Sequence, residues 1–137
     1  MKYLVCNGLD DDGLDIDEGY QGNIQFAIVR QGASNGDRGI ESDGNGSNFG
    51  ATPRTAPNIA NLTVLGNAGK GSAATVGAVH REGFAGKVYR SVYTDDVLAG
   101  TAFDDGCLDV DDTEEPQLEY LDMVFNCTPG NTATADD

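Results

Sequence analysis

Asp12-Gly13-Leu14-Asp15-Ile16-Asp17-Glu18-Gly19, followed by Asn23-Ile24-Gln25-Phe26-Ala27-Ile28-Val29, returns in variant form along the chain. The second copy is Asp37-Arg38-Gly39-Ile40-Glu41-Ser42-Asp43-Gly44, then Asn58-Ile59-Ala60-Asn61-Leu62-Thr63-Val64-Leu65. A looser one is Gly77-Ala78-Val79-His80-Arg81-Glu82-Gly83, then Gly86-Lys87-Val88-Tyr89-Arg90-Ser91-Val92-Tyr93. The last is Asp105-Gly106-Cys107-Leu108-Asp109-Val110-Asp111-Asp112, then Gln117 to Phe125. Repetition at a fixed period marks a solenoid or an array.

Each unit holds two apolar runs that alternate with period two, and no stretch keeps a helical period. Gly13 to Gly39 spans 26 residues, and Gly39 to Gly77 spans 38, so loops of variable length interrupt a common coil. The longest loop runs from Gly44 to Ala56, and a second from Gly66 to Ala74. Short strands, a rung near two dozen residues and glycine punctuation predict an all-β fold, a right-handed parallel β-helix of about four to five coils. A β-sandwich is the alternative. One domain is expected over 1–128, open at its N-terminal end, with a polar tail over 129–137.

The chain carries 23 acidic against 8 basic residues, a formal charge of -15. Such an excess excludes nucleic acid and anionic membrane surfaces as partners, since both need positive charge. It favours solubility and cation binding. No apolar run is long enough to span a bilayer. Met1 to Cys6 is too short for a signal peptide, and the chain opens inside a strand, because Lys2-Tyr3-Leu4-Val5 reads like Glu119-Tyr120-Leu121-Asp122. An exported protein whose leader is absent from this chain is the expectation.

The phrases Asp10-Asp11-Asp12-Gly13-Leu14-Asp15, Gly22-Asn23-Ile24-Gln25-Phe26-Ala27, Asp37-Arg38-Gly39-Ile40-Glu41 and Ala51-Thr52-Pro53-Arg54 carry a family resemblance. The chain resembles bacterial secreted or lipid-anchored right-handed parallel β-helices from Lys2 to about Phe125. That resemblance implies an extracellular or cell-surface β-helix. It carries over no catalytic residues.

Stacking the rungs puts like positions in columns about 4.8 Å apart. Leu14, Ile40, Val79 and Leu108 are expected to point inward. Asp15, Glu41, His80 and Asp109 should form one outer column, and Asp17, Asp43, Glu82 and Asp111 a second. Two unit charges at that spacing repel by roughly 1 kcal/mol in water and about 3–4 kcal/mol at an effective dielectric of 20. Bound cations, or Arg38, Arg54 and Arg81, would offset this. Calcium takes several oxygen ligands, so Asp10, Asp11, Asp12, Asp15, Asp17, Glu41, Asp43, Asp109, Asp111 and Asp112 are the candidate ligands. The first cluster is not an EF-hand, because Gly8 stands at the required acidic position.

Polysaccharide cleavage or binding is the competing function. Asp17 with Asp43, or Asp15 with Glu41, beside Arg81 or His80, would supply paired carboxylates. His80, the single histidine, is expected to pair with Glu41 or Asp109. Gly66 to Ser72 lacks the first glycine and the Ser or Thr of a phosphate loop and reads as a plain loop. Cys107 is expected to be a small core residue. Cys6 and Cys127 appear at equivalent ends of the first and last strands, about four rungs apart, too far for an intramolecular disulfide. Head-to-tail stacking of chains would instead bring Cys127 of one chain to Cys6 of the next. The expected role is therefore structural or binding and non-catalytic, at the cell exterior, with calcium and self-stacking into oligomers or fibres as companions.

Overall fold

The computed structural model describes residues 1–32, 36–66, 76–96, 106–128 and 133–134. The second expected loop lies mostly outside these residues. Strands β1 (Lys2–Leu9), β3 (Asn23–Gln31), β5 (Asn58–Gly66), β7 (Lys87–Tyr89) and β10 (Glu119–Leu121) follow one another in one parallel sheet. In that sheet β8 (Val92–Asp95) pairs with β5 and with β11 (Val124–Asn126). We call this sheet one. Sheet two orders β2 (Leu14–Ile16), β4 (Arg38–Ser42), β6 (Val76–His80), β9 (Leu108–Val110) and β12 (Ala133–Thr134). Each coil gives one rung to each sheet, and every pairing is parallel. Among the described residues this is a β-helix of five rungs per sheet, and their parallel pairing excludes a sandwich of antiparallel sheets. Residues 133–134, placed in the tail by the sequence reading, pair with Leu108 and Asp109 as the last rung of sheet two.

The bore is filled by stacked apolar columns. Ile24, Ile59 and Val88 share one register position, and Ala27 and Leu62 another. Val29, Val64 and Tyr93 share a third. All are at most 1 % exposed. Each fully buried large side chain stabilises by about 1.5–3 kcal/mol.

Sheet-one strands bend at one point per coil. Tyr3, Phe26, Asn61, Arg90 and Asp122 occupy that point, with φ between 49° and 59°. Left-handed backbone costs a residue with a Cβ roughly 1–2 kcal/mol. The bend repeats because each coil must turn in step with its neighbour to keep its ladder. The side chains there point outward, and Tyr3 stacks on Phe26 at 5.5 Å.

Glycine sets the register of sheet two. Gly13 precedes Leu14, Gly39 precedes Ile40 and Gly77 precedes Ala78. A Cβ on Gly39 would lie 2.2 Å from Val64 Cγ1 and 2.4 Å from the Gly77 carbonyl oxygen. The paired column is therefore Leu14, Ile40, Ala78 and Leu108. This corrects the sequence register at the third rung by one residue. Ala78, not Val79, continues the inward column, because backbone contact at the glycine outweighs the greater hydrophobicity of Val79. A second correction concerns β1. Lys2 pairs with Gln25, in line with Ala60, Tyr89 and Leu121, so the resemblance of β1 to β10 is offset by two residues.

The same glycine column explains the cysteines. Cys107 occupies its fourth position, before Leu108. A Cβ on Gly13 would meet Val29, and one on Gly39 would meet Val64, each in the next coil's sheet-one strand. By the same offset Cys107 faces the strand of the last coil, and it forms a disulfide with Cys127 across 5.4 Å between Cα atoms. The expected contact between Cys127 and Cys6 of another chain is thereby corrected. Cys6 shares its column with Val29, Val64, Tyr93 and Phe125, two residues away from the position of Cys127. Cys6 is the free cysteine.

Candidate functional site

Once sheet two is in its true register, its outer surface differs from the predicted acidic ladders. The first outer column is Asp15, Glu41, Val79 and Asp109. The inward column behind it is Ile16, Ser42, His80 and Val110. Main-chain bonds from Asp43 to Ile16, from Arg81 to Ser42 and from Asp111 to His80 continue the stack, at 2.9, 3.1 and 3.1 Å. The next outer column is thus Asp17, Asp43, Arg81 and Asp111. The one-residue slip moves a histidine into the bore and an arginine into the ladder.

Arg81 is the centre of the strip. Its Nε and Nη2 donate to the two oxygens of Asp43, both at 2.8 Å, and Nη2 also reaches Glu41 Oε1 at 2.5 Å. These bonds push its pKa above that of a free guanidinium. Arg38 adds a second cation, with Nη1 at 2.7 Å from Asp37 Oδ2 and 3.2 Å from Glu41 Oε1. Repulsion between stacked carboxylates is thus offset from within the strip. A bidentate, partly buried guanidinium contributes more than a free surface pair, because its geometry is fixed.

Asp12 lies at the edge of this network. Its Oδ1 accepts the Arg38 main-chain N–H at 2.9 Å. Burial raises its pKa to about 7, helped by a hydrogen bond with Glu41 and by the charges of Glu41 and Asp37, while the Arg38 N–H pulls the other way. The Asp12 carboxyl therefore keeps its proton to a higher pH than an ordinary aspartate. Asp37 and Asp15 are also raised, each chiefly by burial.

The predicted calcium ligands do not gather into one site. Asp11, Asp12 and Asp37 bring carboxylate oxygens within 4.8 Å of one another. Calcium takes about six to eight oxygens, so this trio fits as part of a shell. Arg38 competes for it by holding Asp37 and one oxygen of Asp12. Asp10 lies in the exposed turn before it. Glu41 and Asp43 are engaged by Arg81, and Asp15 and Asp17 are exposed beside them. Asp109 and Asp111 lie on the far side of the Val79 and Arg81 rung. Asp111 Oδ1 caps the short 3-10 turn Asp112–Glu114 through Thr113 N at 3.0 Å. Asp37 and Arg38 were not singled out together as a site from sequence. The 26-residue spacing that sets Gly39 opposite Gly13 also sets Asp37 opposite Asp11.

His80 pairs with neither Glu41 nor Asp109. It is 0 % exposed, stacked on Phe84 at 4.8 Å, with Nε2 against the Tyr120 hydroxyl. Burial lowers its pKa to about 3. A neutral buried imidazole takes no part in the outer strip.

Beyond the Asp17 and Asp43 end of the strip, the turns leaving sheet two and the 44–55 loop enclose a cleft of about 160 Å³. Among the described residues no helix is long and apolar enough to cross a membrane. Searches of curated proteins and of solved structures returned no match. A family model for a pectate-lyase-like β-helix domain matches residues 1–135. The parallel pairing of both sheets and this match agree: the chain belongs to the pectate-lyase-like family of right-handed parallel β-helix domains.

Proposed function

We propose that this chain is an exported glycan-binding β-helix whose ligand lies along the outer face of sheet two. The observation that carries the reading is the strip itself: Glu41 and Asp43 held rigid by Arg81, with Arg38, Asp37 and Asp12 alongside. Sugar hydroxyls both donate and accept, and they bind best to polar groups whose rotamers are already fixed. Carboxylates and guanidiniums alternating along stacked rungs offer such groups at a regular repeat. Export is supported by the Cys107–Cys127 disulfide, since such bonds persist in oxidising compartments. Affinity electrophoresis through gels loaded with neutral and acidic polysaccharides tests the reading. Retardation by at least one polymer, reduced by Glu41→Gln, is expected. Equal mobility in every gel would refute it.

The raised carboxyl of Asp12, beside the Arg81-held Glu41, favours a second reading, cleavage of the bound glycan by acid–base chemistry. A group titrating near 7 donates and accepts at neutral pH. Asp12 then gives its proton to the leaving glycosidic oxygen as its bond to the anomeric carbon breaks, while a water adds to that carbon and passes its proton to the Glu41 carboxylate, which Arg38 and Arg81 hold in place. A reducing-end and unsaturated-product assay tests this, with turnover falling above pH 7 and lost in Asp12→Asn. Binding without product from any polymer leaves the non-catalytic reading alone.

A further inference from the structure

Arg54 is the one arginine among the described residues that no carboxylate pairs with. It is not loose. Its Nη1 donates to the carbonyls of Gly83 at 3.0 Å and Glu115 at 3.2 Å, in the turns of two successive coils. Its Nε and Nη2 donate to nothing among the described residues. The guanidinium lines the cleft named above, which Glu18, Asn45, Phe49, Pro53 and Thr55 also line. Thr55 is fully buried, and its hydroxyl accepts the Gly19 N–H at 2.8 Å, tying the 44–55 loop to the turn after sheet two. Asn45 Oδ1 accepts the N–H groups of Ser47 and Asn48, at 3.1 and 2.9 Å, and braces the other side of the loop.

The cleft is therefore lined by Arg54 with its unfilled donors, by the exposed carboxylate of Glu18, and by the apolar residues Phe49 and Pro53. We propose that it binds one neutral pyranose residue of a glycan. A sugar ring needs this combination: donors and acceptors for vicinal hydroxyls, and a flat apolar surface for its C–H face. The charge surroundings choose neutral over acidic. Glu18 lines the same space, and Glu82 lies beside Gly46 on the same loop. A uronate carboxylate that satisfied Arg54 would share the cleft with the Glu18 carboxylate, in a chain of charge -15. At about 160 Å³ the cleft is smaller than a drug-sized site and takes a single ring.

The inference rests on the glycan reading of sheet two and adds to it a place and a sugar type. The test is amide chemical-shift mapping of the whole chain with neutral hexoses, their short oligosaccharides, and galacturonate as the acidic counterpart. Expected are shifts at residues 18–19, 44–55 and 83 with a neutral sugar, and weaker ones with galacturonate. Arg54→Met, and Glu18→Gln at an exposed side chain outside the packed core, should each weaken binding at least tenfold. Lys87→Met, an exposed change on sheet one outside both the strip and the cleft, should leave this binding unchanged. The proposal is overturned if neutral sugars move only the sheet-two strip, if galacturonate binds more tightly, if Glu18→Gln binds as wild type, or if no sugar moves the cleft. Shifts on the strip alone would leave the glycan reading standing without this subsite.

Discussion

Lowering the pH from 7 to 4.5 should destabilise this protein through His80. The unfolded chain binds a proton on histidine below about 6.5. The native ring, buried between Phe84 and Tyr120, does not until about 3. The folded value is depressed, so stability is intact above 6.5 and is lost as pH falls toward 3. Two pH units below 6.5, at about 1.4 kcal/mol each, give a loss of about 3 kcal/mol at pH 4.5. Carboxyls with raised values, Asp12 first, act in the opposite sense over this range and mask the loss in the wild type. A comparison with His80→Gln removes them, because they are common to both chains. Glutamine can still reach the Tyr120 hydroxyl but loses the stack on Phe84, a pH-independent cost of about 1 kcal/mol. Urea denaturation followed by circular dichroism, without reductant, gives the two stabilities at each pH. The wild type should be ahead at pH 7 and behind at pH 4.5, a swing of about 3 kcal/mol. A difference that stays constant to within 1 kcal/mol would refute the buried neutral imidazole.

Gly39→Ala should cost about 3 kcal/mol or more, or prevent folding, because the new methyl meets the Gly77 carbonyl at 2.4 Å; a melting temperature within a few degrees of wild type would contradict the glycine register. Replacing Cys107 and Cys127 together by serine should cost about 3 kcal/mol, from a 20-residue separation, and a thiol titration of the wild type under denaturing, non-reducing conditions should find one free thiol, on Cys6. Arg81→Met should cost about 1–2 kcal/mol in urea denaturation by leaving Glu41 and Asp43 side by side, and the loss should shrink in high salt, which screens their repulsion. Asp12 carries a raised value, so as the pH rises from about 4 to about 7 the wild type should lose stability relative to Asp12→Asn, which lacks this contribution; parallel pH profiles of the two chains would contradict the raised Asp12.

Architecture was legible because a solenoid writes its period into the chain. Leu14 and Ile40 repeat with the glycines before them, Leu108 follows Cys107 in the same place, and each was placed inward where it lies. The third rung was misplaced because Ala78 and Val79 are both apolar, so side-chain type leaves the register open by one residue. Backbone packing at Gly77 closes it. Arg81 was named as a cation that offsets the carboxylates, but the same slip left it out of the ladder and put His80 on the wrong side of the sheet, since a one-residue shift reverses every side chain in a strand.

The acidic excess, the parallel β-helix and the outer position of Asp15, Glu41 and Asp43 follow from the sequence alone, because alternation and stacking need only the order of residue types. The Cys107–Cys127 bond, the raised carboxyl of Asp12, and the Arg54 guanidinium held by main-chain carbonyls were decided by tertiary structure. Each depends on which coil faces which across the bore or over a loop. Loops of unequal length set that offset, and the repeat itself does not encode it.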